Sequence, residues 1–537
     1  MNDNLNLIIS FLNSALNKLD YPNDQLRLTK AKNFGDFSTN IALVLQKQLN
    51  KKAMDIAYEI KNAVNFKEYL IKKIEIVEPG FLNFFVENEI FSSVVKKILD
   101  EKEKYGSQKQ NQKINIEFVS VNPTGFLHVG HARGAVIGST LANILLFTGN
   151  KVIKEYYVND AGNQIDILAN SVLVRYKQLF GMNVELETDS YHGEDIIFVA
   201  QKIKDEFGDL FLKITKDEKN KLQILKDRTV EILLNEIKKD LQKFNVEFDI
   251  FYSERELYKN KIIEQTLEKL DHKFEKEGAL WLETTKFGDD KDRVLIKKDK
   301  TFTYFTPDIA YHQKKINSFN GVDKIINIWG ADHIGYVKRL EIALEILGFD
   351  VKNFNVLICQ IVRFFKDGQI FKMSKRKGTS FTVKDILKIV NEDMLRFFMI
   401  NRSENSTLDF NIDLAVEQNN KNPVYLIQYS YARICQLFKK NNINVFDNLN
   451  YEHELEIKLI NILKEFPELI DKISKNYKVN LLPEYLITLA RNFNSLYENI
   501  KFIGNKNEMS LLALAKATQI VLKIGLDLIG VNSPERM

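Results

Sequence analysis

Leu5, Ile8, Ile9, Leu12, Ala15, Leu16 and Leu19 recur every three or four positions, so the chain opens with a helix carrying one apolar stripe. Residues 33–37 (NFGDF) predict a turn, and a second helix is expected over 39–48. Two apolar runs, 74–77 and 81–86, flank Glu78-Pro79-Gly80 and predict a hairpin. The polar run 101–112 (EKEKYGSQKQNQ) reads as a linker by composition.

Beyond it the period changes. Residues 114–119 look like a strand, Pro123-Thr124-Gly125 makes a turn, and a helical stripe runs from His131 to Phe147 until Gly149-Asn150 stops it. Residues 151–158 are strand-like again. Strand, glycine turn, helix, strand is the order of a βαβ unit, whose two strands pair in parallel. Lys/Glu-rich sequence of helical period over 183–275 predicts an insertion or helical subdomain. Strands are expected at 294–296, 325–329 and 355–361, and nearly all helix from about 385, including 486–497 and 511–528.

A chain of 537 residues predicts three or four domains, and 45% hydrophobic with 28% charged residues predicts full-sized cores. Eight prolines and 23 glycines argue against long disordered linkers. A net charge of +4 permits a nucleic-acid partner held by local basic patches without requiring one. Cys359 and Cys435 stand far apart with no Cys-x-x-Cys pair, so neither structural zinc nor a disulfide framework is expected. No basic segment leads into a long apolar run, and the expectation is a cytoplasmic protein with no membrane partner.

Two motifs carry chemistry. His128-Val129-Gly130-His131 stands where the helix begins, and a helix start collects unpaired N–H groups that suit an anion. Gly130 removes a side chain where an adenine ring could lie against the backbone. The two histidines, three apart, could donate N–H bonds to phosphate oxygens and stabilise charge as it builds during phosphoryl transfer. The bland alternative is two histidines near a turn. A metal pair is disfavoured because no third ligand lies at useful spacing. The second motif, Lys372-Met373-Ser374-Lys375-Arg376, lies on a glycine-ended loop whose lysines could swing onto the β- and γ-phosphates of ATP. By itself it is equally an exposed basic loop.

In this order, the two motifs resemble the signatures of class I aminoacyl-tRNA synthetases. Further strings narrow the resemblance to the arginyl-tRNA synthetases. These are 117–125 (EFVSVNPTG, with Asn122, Pro123, Thr124 and Gly125) running into 128–134 (HVGHARG), 156–164 (YYVNDAGNQ), 329–333 (WGADH), 422–425 (NPVY) and the end PERM. The likeness runs from Asn33 to the last residue, with weaker detail over 165–290. It implies an α/β fold: a Rossmann-like catalytic domain at 109–384 with the insertion around 183–275, after a small α/β tRNA-elbow domain at 1–108. A helical connection at 385–417 and an all-α anticodon-binding domain at 418–537 follow.

The resemblance makes His128, His131, Lys372 and Lys375 catalytic and places Gly130 and Ser374 with them around ATP and its Mg2+. It puts Glu117 and Asn122 near the amino acid. In 301–311 (TFTYFTPDIAY) the substrate-facing residues fall on Tyr304 and Asp308. A guanidinium carries five donors and a permanent charge, so a carboxylate such as Asp308 is its natural partner. Read without the family, Asp308 after Pro307 is a helix-capping residue. The family also uses a polar residue after the 325–329 strand, which the sequence does not assign to one position between Gly330 and His333. The second motif is intact here, whereas many arginine enzymes have a degraded one. The implied partners are tRNA(Arg), L-arginine and ATP, with a monomer expected and tRNA bound before activation. Tyr425, Tyr429, Tyr431 and Tyr497 are candidates to stack on unpaired bases.

Three rivals remain. A synthetase for cysteine lacks its zinc cysteines here, and one for glutamate would not want an acidic pocket. A small-molecule adenylating ligase has no use for a helical C-terminal domain. A non-catalytic paralogue has no reason to keep both motifs.

Overall fold

Ile114 and Ile116 alternate with Asn115 and Glu117, and all four are buried, so this strand is covered on both faces. Such a strand belongs in the middle of a parallel sheet. In the computed structural model, Lys113–Glu117 is the centre of five parallel strands. The order is Phe354–Cys359, Lys324–Gly330, Lys113–Glu117, Lys151–Val158 and Ile250–Ser253. The structure describes residues 3–30, 35–87, 89–214, 218–371, 381–440 and 446–537. The second motif, Lys372 to Arg376, and part of the turn at 33–37 lie outside them.

From the central strand the chain first builds outward on one side, then returns to the other with Lys324–Gly330. The carboxyl ends of these two neighbours therefore open a crevice at the point where the winding reverses. Helix Ala132–Phe147 covers the sheet and is apolar almost all round, as a fully enclosed helix must be. Gly138 lets it approach closely: a Cβ there would run into the Phe118 ring.

The opening helix is Asp3–Lys18, the second Ile41–Leu49, and the hairpin Ile71–Val77 with Phe81–Val86 pairs antiparallel. Three readings change. The polar run 101–112 is not a loose linker: Tyr105 is buried, stacks on Phe466 and donates its hydroxyl to the Leu463 carbonyl at 3.1 Å. One aromatic residue among polar ones anchors the run on the C-terminal helices. Within 183–275, helices Glu194–Phe207 and Lys219–Gln242 share a separate apolar core with Asn163–Leu179, but Ile250–Ser253 is a strand of the main sheet. Four residues are too short to show a period of two against helical surroundings. Likewise Leu408–Asn411 is a strand, paired with Val362–Lys366, inside the region expected to be helix.

Helices Pro423–Lys440, Glu454–Asn476, Leu481–Asn499 and Glu508–Ile529 form the C-terminal bundle. The last is long and apolar enough to cross a membrane, yet 72% of its most apolar window is buried inside the fold. It is a core helix.

Arg396 joins three parts of the molecule. Its guanidinium is fully buried and donates to the carbonyls of Ile529 (2.6 Å), Phe244 (2.7 Å) and Asn245 (3.0 Å) and to the Ser139 hydroxyl (2.9 Å). The first three carbonyls sit at or just beyond helix C-termini, where the negative dipole end favours a cation. Burial lowers its pKa to about 9, which still leaves it charged at neutral pH. Arg396→Met is expected to remove about 3 kcal/mol or more of apparent stability, because it strands several buried acceptors at once. Urea titration followed by circular dichroism measures this, and a loss below about 1 kcal/mol would deny Arg396 the role.

Candidate functional site

At the crevice lies a cavity of about 1130 Å³, large enough for a nucleotide. Asn122, Thr124, Gly125, His128 and His131 line one wall, and Gly330, Asp332 and His333 line the opposite one. Pro123 and Val129 are buried behind the first wall and hold it in place.

His128 has extended backbone and begins the short helical turn Val129–His131, which leads into helix Ala132–Phe147. The Gly130 N–H donates to His128 Nδ1 at 2.9 Å. That nitrogen must be unprotonated, so the ring proton sits on Nε2. A Cβ on Gly130 would lie 2.9 Å from His128 Nδ1, so the glycine protects this hydrogen bond. The two imidazoles stand 5.9 Å apart, nearly perpendicular. Desolvation by the cleft walls lowers both pKa values, and for His131 the neighbouring His128 adds to it. Both rings are therefore neutral N–H donors at pH 7, not cations.

The chain flanking the second motif runs along the same wall. Val129 N–H donates to the Phe381 carbonyl (3.0 Å) and Val383 N–H to the Leu127 carbonyl (2.8 Å). Phe371 and Phe381 both line the cavity, their rings 5.9 Å apart. Of the described residues flanking Lys372–Arg376, Phe371 and Phe381 thus both reach the cavity, and the 381–383 strip is bonded alongside His128.

Glu117, at the end of the central strand, is paired with the buried ammonium of Lys315, and its other oxygen accepts from Ser120 Oγ at 2.9 Å. Ser120 lines the cavity. Lys315 also donates to Asn327 Oδ1 (2.9 Å). Asn122 donates to Gln164 Oε1 at 2.8 Å.

Asp308 is half-buried and is not among the cavity-lining residues; its Oδ2 accepts from the Tyr336 hydroxyl at 2.6 Å. Burial pushes its pKa up to about 7, Glu117 and Glu254 push the same way, and the Tyr336 bond and Lys315 oppose them. Asp308 thus feels two carboxylates, Glu117 and Glu254, and the ammonium of Lys315, which is itself paired with Glu117. Tyr304 stands at the start of helix Phe305–Ile316 and is 82% exposed, clear of the cavity.

Sequence reasoning missed Glu254, Lys315 and Tyr336, and the cavity wall contributed by Tyr191 to Asp195 of the insertion. Glu254 was findable: like Glu117 it lies at the carboxyl end of a parallel strand, where ligands of such sheets bind. Tyr336 is three residues beyond His333, on the same helical face.

Three family models match the chain in succession. They are an arginyl-tRNA synthetase N-terminal domain over residues 6–86, a class I (R) tRNA synthetase catalytic domain over 94–454, and a DALR anticodon-binding domain over 427–537. The arginine–tRNA ligase of Mycoplasma mobile is 48% identical over 535 residues, covering 99% of each chain. That of Bacillus subtilis is 41% identical over 530 residues, covering 96% of this chain and 95% of its own. The solved arginyl-tRNA synthetase of Thermus thermophilus superposes with a TM-score of 0.70 at 20% identity, over 99% of this chain and all of that one. On sequence and architecture together, the chain belongs to the arginyl-tRNA synthetase family of class I.

Proposed function

We propose that this chain joins L-arginine to the 3′ end of tRNA(Arg) at the expense of ATP. One observation carries the reading: Asp308 feels the charges of Glu117 and Glu254 as well as that of Lys315, and Glu117 is bonded to Ser120 on the cavity that His128 and His131 also line. Such a pocket keeps an excess of negative charge that a guanidinium neutralises.

An oxygen of the arginine carboxylate attacks the α-phosphorus of ATP; the bond to the bridging oxygen breaks and pyrophosphate leaves. His128 and His131 donate N–H bonds to the phosphate oxygens as charge gathers, with Gly130 beside the nucleotide. Lys372, Ser374 and Lys375 hold the departing phosphates. Asp308 takes the guanidinium, Glu117 and Asn122 the amino-acid end, and Tyr304 closes over the occupied pocket. The terminal adenosine's 2′-OH then attacks the arginyl carbonyl and AMP departs. Among the described residues no three acidic, histidine or cysteine side chains cluster as a metal site. Mg2+ would enter on the ATP phosphates, which supply most of its oxygens in such sites, and would neutralise part of their charge.

Residues 1–108 meet the tRNA elbow, 109–384 carry the chemistry, 385–417 connect, and 418–537 read the anticodon. In the last region Tyr425 and Tyr429 stack 5.8 Å apart, and Arg433 lies over Tyr429 at 4.6 Å and Tyr497 at 4.9 Å. These half-buried rings suit base stacking, while Tyr431 is buried and serves the core. The enzyme works as a cytoplasmic monomer and activates arginine with tRNA already bound. Charging tRNA(Arg) with each of the twenty amino acids in turn tests the reading: arginine alone should be loaded, and loading of another residue in its place would refute it.

A further inference from the structure

We propose that Lys384 is a positioning residue that ties the helical insertion to both loops of the nucleotide cleft, and that the affinity for ATP depends on this tie. Lys384 directly follows Phe381–Val383, the strip hydrogen-bonded to Leu127 and Val129. Its ammonium lies 2.7 Å from Glu236 and 3.9 Å from Asp240, both on helix Lys219–Gln242. It also stands 4.2 Å from the centre of the Phe126 ring, in the loop that leads to His128, and 6.0 Å from Phe198 of the insertion.

Each contact has a physical reason to persist. The lysine side chain is only 25% exposed, so its attraction to Glu236 is less screened than at an open surface. Asp240 Oδ2 is buried with no hydrogen bond of its own, and Lys384 is the cation facing it while Lys243 holds the other oxygen. Cation–π attraction fixes Phe126, which also rests edge-on against Phe198 and donates its N–H to Asp195 at 3.3 Å.

Helix Lys219–Gln242 gives the tie reach. Leu225 and Leu233 anchor it in the insertion's own core, and Ile237 and Leu241 anchor it in the main core. A 24-residue helix is a stiff rod of about 36 Å, so a shift of the insertion moves Glu236 and Asp240, and Lys384 with them. The sequence gives no sign of this link, because its partners stand about 150 positions apart.

The proposal rests on reading the cleft as the nucleotide site. It is tested by aminoacylation kinetics with arginine and tRNA saturating and ATP varied. Lys384→Met should raise the KM for ATP about tenfold while leaving that for arginine within about twofold. Glu236→Gln should act in the same direction but less, about threefold, because Asp240 remains. The charge exchange Lys384→Glu with Glu236→Lys should restore most of the loss, a rescue that a direct contact of Lys384 with ATP would not allow. An unchanged ATP dependence in Lys384→Met overturns the proposal, as does a loss that Glu236→Gln does not share. If Lys384→Met does not fold, Glu236→Gln decides alone. His131→Ala measured alongside separates two failures. If it too leaves the ATP reaction intact, the cleft reading falls; if it alone is impaired, only the tie falls.

Discussion

His131→Ala is expected to slow formation of arginyl-adenylate by about 10²–10³-fold at saturating ATP, arginine and tRNA, with the KM for arginine little changed. The expectation follows from what the ring does. A neutral imidazole held at a fixed place in a desolvated cleft donates one hydrogen bond to charge that develops only in the transition state. Its loss therefore falls on kcat. The neighbouring His128 cannot substitute, since its Nδ1 is committed to Gly130 and its ring stands 5.9 Å away. The depressed pKa values of both rings add a second expectation. Between pH 7 and 8 the chemical step should show no histidine ionisation. Rapid-quench measurement of adenylate formation gives both quantities, and a loss smaller than about tenfold would remove His131 from the chemistry.

Asp308→Asn is expected to raise the KM for arginine by about 10²–10³-fold at pH 8, with the KM for ATP nearly unchanged. The substitution keeps the shape and the Tyr336 contact but removes the charge that a buried guanidinium needs. The sign of the pH dependence follows from the raised pKa of about 7. Below that value the empty pocket holds a proton on Asp308, which arginine must displace; above it the carboxylate is free. Arginine affinity should thus fall about tenfold per pH unit below 7 and level off above it, and Asp308→Asn should abolish the slope. The same shift makes Asp308 a cost to the unliganded fold as pH rises from about 4 to 7, because there the folded state holds a proton that the unfolded state has lost.

Sequence made the long periodic elements legible, because packing agrees with pattern wherever one face is buried. Residues 114–119, 131–147 and 151–158 correspond to the central strand, its helix and the next strand. It failed where the signal is brief or non-local. Ile250–Ser253 has only four residues, and its identity as a strand comes from pairing with Lys151–Val158 nearly a hundred positions earlier. Tyr105 hides in a polar run because one ring can anchor what twelve residues of composition suggest is loose.

At the site, the first motif was readable from its spacing at a helix start, while Glu117 was named only through the family resemblance. The reason for Gly130 was not readable: the sequence suggests room for a ring, while the structure adds protection of a hydrogen bond within the motif itself. Glu254 and Tyr336 reach Asp308 from two other elements, a meeting that no local pattern announces, whereas Lys315 stands two turns along Asp308's own helix. Tyr304 stands 82% exposed and does not line the cavity, so the structure does not bring it together with the other candidate residues.

The pocket's demand for a cation is most directly tested by equilibrium binding of arginine and of citrulline, which has the same shape but no charge, at pH 8. Arginine should bind at least about a hundredfold more tightly to the unaltered protein, and Asp308→Asn should erase most of that preference. Equal binding of the two by the unaltered protein would contradict the account.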